Sequence, residues 1–149
     1  MNDTVNQYAD RYRAWGLDGG PATGAEVREL ERAAGVRLPD SYKAYLLIAG
    51  RRPPGAWVGS DCALGQLAPL RAGADALLRE NGRPPLPAGA FVFLMHQGYQ
   101  FFYFATDDDA AAPDDPPVWY YLEAEPAAVR SFERFSEMVA AVAAESARG

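Results

Sequence analysis

One histidine, one cysteine and two short clusters of aspartate are the side chains in this 149-residue sequence best suited to covalent work or to holding an ion. His96 sits between Met95 and Gln97 in an aromatic-rich stretch. An imidazole works as a general base or a metal ligand only when partners orient it, and its sequence neighbours supply none. A hydrogen-bonded structural role is the simpler assignment. Cys62 follows Asp61, and nothing nearby provides the base or cationic setting that would draw its thiol toward thiolate. A structural zinc site needs about four nitrogen or sulfur ligands, more than one His and one Cys can give.

Asp107-Asp108-Asp109 and Asp114-Asp115 resemble a loop for a hard cation. An EF-hand-type loop places acidic residues at alternating positions, then a glycine, then a closing glutamate. Ala111 fills the third alternating slot and Ala112 the glycine position, so the pattern fails and a solvated acidic loop is the better reading. No phosphate-cradling glycine motif and no Gly-x-Ser-x-Gly elbow occurs. The separation that would let two carboxylates act on a glycosidic bond is not visible in a sequence. The expectation is a protein with no catalytic residue, no cofactor and no metal, which works by binding.

The elements that would position these residues are mostly readable. Val5, Tyr8, Tyr12 and Trp15 recur at helical spacing, predicting an amphipathic helix over 3–15 within an N-terminal extension, residues 1–20. Thr23-Gly24-Ala25-Glu26 matches a capping box. The helix it opens carries Val27, Leu30 and Ala34 inward and stops at Gly35. Pro39 suits the start of a third helix, whose Tyr42, Tyr45, Leu46 and Ala49 share a face, and which Gly50 closes. Val58, Cys62, Leu64 and Leu67 suggest one or two short strands, and Pro69 to Asn81 a fourth helix. Arg83 to Pro87 is too rich in proline for either regular element.

Phe91 to His96 and Tyr99 to Ala105 read as a hairpin around Gln97-Gly98, and Pro117 to Leu122 as a third strand. A last helix is predicted from Ser131, through Phe132, Phe135, Val139 and Val142, with Ser131 as its N-cap and Glu133 in its first turn. Segregated helices with an antiparallel meander argue an α+β fold, the meander packed against N-terminal helices and a C-terminal helix, in one domain spanning 1–149. Strand alternation places Phe91, Phe93, Phe101, Tyr103 and Tyr120 in the core, and Phe102, Phe104, Trp119 and Tyr121 on the opposite side.

Charge narrows the partners. A net charge of −6 disfavours nucleic acid and permits a basic protein. No apolar run approaches the roughly 20 residues a membrane helix needs, so no membrane role is expected. The opening Met1 to Gln7 lacks the basic and apolar regions of a secretion signal. With a single cysteine, that points to the cytoplasm.

Val27 to Gly50, reading VRELERAAGVRLPDSYKAYLLIAG, resembles the opening of the SUKH superfamily of Smi/Knr-type domains. Phe91–Phe104 is similar to that family's central hairpin, and Asp114–Tyr121 and Ser131–Val139 to its next strand and closing helix. The likeness covers residues 23–143. It implies a role by binding: bacterial members protect a cell from its own polymorphic toxin, often a nuclease, by gripping the toxin domain, and others are intracellular regulators. The expected partner is therefore a cognate protein toxin domain. The candidate contacts are the acidic Asp107, Asp108, Asp109, Asp114 and Asp115 with the neighbouring aromatics Trp57, Trp119 and Tyr121. Carboxylates there would stand in for the phosphates of a nuclease's substrate.

Overall fold

The computed structural model describes residues 2–52, 54–106 and 113–148. Helix α1 (Asp3–Ala14) begins where the Asn2 side chain accepts a hydrogen bond from the Val5 N–H at 2.9 Å. Its Val5, Ala9 and Tyr12 stripe is buried, and the Tyr12 hydroxyl donates to the Ser41 carbonyl at 3.0 Å, fastening it to the third helix. The capping box of α2 (Gly24–Ala34) forms as the sequence requires: Thr23 Oγ1 accepts from Glu26 N–H, and Glu26 Oε1 accepts from Thr23 N–H. Gly35 ends that helix at φ 68°. Val27 is buried, Leu30 only half-buried, and Ala34 exposed, so the apolar stripe is narrower than its spacing suggests.

Helix α3 (Asp40–Ala49) is covered on nearly every side. Its Tyr42 ring is ringed by Phe91, Phe93, Phe104 and Phe135 at centroid distances of 5.2 to 5.8 Å, mostly tilted or edge-on. Aromatic quadrupoles favour such pairings over face-to-face stacking. This cluster joins α3, the sheet and the last helix in one core.

Between α3 and α4 (Leu70–Glu80) the chain forms two short 3-10 turns, Gly55–Trp57 and Leu64–Gln66, in place of the expected strands. Long-range bonds hold this segment. Asp61 exchanges both backbone hydrogen bonds with Met95, at 2.7 and 3.0 Å, and Leu64 N–H donates to the Gly50 carbonyl. The proline-rich stretch after α4 is strapped down by Arg71, which donates to the carbonyls of Leu86, Pro87 and Ala90. Asp75 accepts from the Leu86 N–H.

The sheet is an antiparallel meander of four strands in chain order: β1 (Ala90–His96), β2 (Gln100–Ala105), β3 (Val118–Leu122) and β4 (Val129–Phe132). Gln97 and Gly98 both adopt positive φ, 50° and 78°, which is the turn that matches strand twist in a hairpin. The fourth strand is a departure from the sequence reading. Ser131 and Phe132 belong to β4, not to a helix, and α5 (Phe135–Arg148) starts later, with Glu137 in its first turn.

Pairing also redistributes the faces. Phe91 lies opposite Phe104, and a bulge between Val92 and Leu94 sets Leu94 opposite Phe102. Phe91, Phe102 and Phe104 therefore share the face under α3 and α5. Phe101 opposite Tyr121 and Tyr103 opposite Trp119 face the other way. Helices and the proline strap cover enough of both sides that Phe101, Phe104 and Tyr121 are all buried.

Candidate partner-binding surface

Three of the residues expected at a binding surface are built into the interior. Trp57 is only 7% exposed, because the 3-10 turn that carries it drops the indole against Tyr45, edge-on at 5.6 Å. Tyr121 is 1% exposed, and its hydroxyl donates to the Glu125 carbonyl at 2.9 Å. Asp115 is 5% exposed: Oδ1 accepts from the Ser136 N–H at 2.9 Å and Oδ2 from the Ser136 hydroxyl. A carboxylate at a helix N-terminus answers unpaired N–H groups and the positive end of the helix dipole. Asp115 thus caps α5 from a distance of 21 residues in sequence, the task assigned to Ser131 from sequence alone.

Asp114 keeps an exposed side chain while its carbonyl accepts from Ser41 N–H at the start of α3. The adjacent acids thus tie the N-termini of α3 and α5 to one segment. Asp40, in the first turn of α3, is buried, and that burial, followed by the nearby charge of Asp114, raises its pKa above the ordinary 3.8; Lys43 and Arg37 oppose the shift. Trp119 is half-buried beneath the Arg130 guanidinium, 5.4 Å from the ring centroid. Asp107, Asp108 and Asp109 lie outside the described residues.

Cys62, weighed as a nucleophile, and His96, weighed as a general base or metal ligand, both lie in or beside the 56–67 segment's contacts. Burial, helped by the charge of Asp61, pushes the Cys62 thiol up to about 12. A thiol so placed is protonated at neutral pH and a poor nucleophile. His96 is half-buried, with Nδ1 2.9 Å from Ser60 Oγ and its ring edge-on to Tyr99. No group of three or more His, Cys, Asp or Glu side chains among the described residues could hold a metal ion. No helix there is long and apolar enough to cross a membrane.

The feature the sequence does not announce is a groove. It has a volume of about 390 Å³ and opens between the α3/α5 face of the sheet, the outer flank of α5 and the 56–60 loop. Leu94, Phe102 and Phe132 form its floor and Met138 and Val142 one wall. On the opposite lip Val58 is 70% exposed, the most solvent-facing large apolar side chain described. His96, Gln100 and Glu145 supply polar groups around it. An apolar depression with a few polar groups at its rim can take up apolar side chains and orient them.

A model of the SMI1/KNR4 family (SUKH-1) matches residues 21–141, most of the chain. The chain belongs to that family. No curated protein matches it. The SUKH-1 span takes in α2 through the first half of α5 and leaves α1 outside. The groove falls within the SUKH-1 region except for Val142 and Glu145, one turn further along α5. Its lining comes from four separated stretches of the SUKH-1 chain, which is why no local pattern marks it. The available signal was Val58, a β-branched apolar residue in a glycine-flanked loop with no periodicity to bury it.

Proposed function

We propose that this SUKH-1 domain is an immunity protein, which binds a cognate polymorphic toxin domain in the cytoplasm and blocks it without catalysing a reaction. The observation that carries the reading is the open groove, with Val58 on its lip and Phe102 and Phe132 half-buried in its floor. A fold that buries Trp57, Phe104 and Tyr121 leaves this apolar surface uncovered, and contiguous uncovered apolar surface is where partners dock.

The footprint differs from the one drawn from sequence. Trp57, Asp115 and Tyr121 leave it, since each is occupied inside the fold. Asp114 and Trp119 stay, and so does the tract Asp107–Asp109. Their negative charge would draw in a basic toxin, while the groove would hold it. The net charge of −6 supports the first half of that division.

The test is survival. Cells expressing the C-terminal domain of a toxin gene beside this one should die, and should live when the intact chain is co-expressed. Death despite abundant folded chain would defeat the proposal. The match to the SMI1/KNR4 model also favours a second reading, a regulatory module with an ordinary cellular client. In that case no toxin gene would adjoin this one and the groove would take a housekeeping partner.

A further inference from the structure

The sheet has two edges, and among the described residues only the β1 edge has backbone groups engaged by other segments. On the β1 side, Asp61 takes both backbone groups of Met95 and Arg71 takes the Ala90 carbonyl. On the β4 side nothing comparable occurs: among the described residues no backbone hydrogen bond joins Val129–Phe132 to any segment except β3. An uncovered edge is a template for another strand.

The side chains along this edge are organised. Register shifts between Val118 and Trp119, so that Phe132 lies opposite Val118 while Val129 lies opposite Tyr120. Val129 and Phe132 therefore both project on the groove's face of the sheet, and Arg130, opposite Trp119, projects on the other. Val129 is 57% exposed, and Phe132 is already part of the groove floor. Phe132 thus links the edge to the apolar space of the groove. The charged residue lining the groove is a carboxylate, Glu145.

From this we propose that β4 is the docking edge for an extended segment of the partner, which adds as a fifth strand. Main-chain hydrogen bonds supply its grip, and apolar side chains at alternate positions enter the groove past Val129 and Phe132. A basic residue at the groove end of the segment meets Glu145. The proposal rests on the reading of this chain as a protein-binding domain and names the chemistry of what it binds.

Random peptides of about twelve residues, long enough for a paired strand, displayed on phage and selected on the immobilised chain, test it without the toxin. The expected winners alternate apolar residues and carry a lysine or arginine. Synthesised, they should slow amide exchange at residues 129–132. Val129→Lys should weaken them about tenfold or more with the melting temperature unchanged, and Glu145→Gln should weaken basic winners alone. If Val129→Lys lowers the melting temperature, the exchange map decides. Selection of no peptide, protection centred elsewhere such as Asp114, or protection of β4 by a second copy of the chain without peptide would each overturn the proposal. Loss of toxin protection in cells with β4 protection intact would instead count against the immunity reading.

Discussion

Asp115 shows how a residue that looks like surface can serve the interior. Its two oxygens are committed to Ser136 at the opening of α5, in a site closed to water. Asp115→Ala should cost about 2 kcal/mol, since a charge-assisted cap is lost and a buried N–H is left unpaired. A lowered urea midpoint checks this. Asp40 makes the converse case. Its folded pKa lies above the ordinary value of 3.8, so the folded state binds the proton more tightly than the unfolded chain. The resulting stabilisation is present in full below that ordinary value and is lost as pH rises through the higher, folded pKa. Asp40→Asn should therefore gain stability relative to the parent as pH rises from the acid range toward neutrality, read as a urea midpoint that climbs steadily relative to the parent's. Cys62, protonated and 2% exposed, should react with an aromatic disulfide reagent only as fast as the fold opens, and at once in denaturant.

At the scale of elements, what could be read from the sequence divides by range. The helices α1 to α4 have local punctuation: an Asn2 or Thr23 cap, a Gly35 stop, an apolar stripe. All four were readable, as was the β1–β2 hairpin. Its turn demands positive φ at two successive residues, and Gly98 meets nothing within 4 Å. Gly98→Ala should thus cost about 1 kcal/mol through backbone strain alone. Gly65→Ala, equally unobstructed and without positive φ, should be close to neutral in the same unfolding experiment. The failures share a cause. Strand β4 has four residues, three of them exposed, so alternation never develops, and its bulge at Ser131 breaks the period further. Ser131 looked like a cap because the true cap of α5 comes from another part of the chain. The 56–67 segment is shaped by its bonds to Met95 and Gly50, which no window of local sequence contains. The groove inherits that limit, being assembled from the same segment, the sheet and α5.

For the whole molecule, the distribution of charge and apolar surface sets how a partner arrives and how it stays. Replacing Asp107, Asp108, Asp109 and Asp114 with Asn should slow association with a basic partner about tenfold at low ionic strength and flatten its salt dependence, with little change in dissociation. Stopped-flow association across a salt series measures this, and an unaltered rate would remove the acidic residues from the footprint. The bridge between Asp61 and Met95 has a consequence of its own. Ribbon-like polymers grow when each unit offers a donor side and an acceptor side, so that every addition exposes a fresh end. With Met95 already engaged, the β1 margin is a poor place for another molecule to add, so self-pairing through β4 favours two molecules over a growing ribbon.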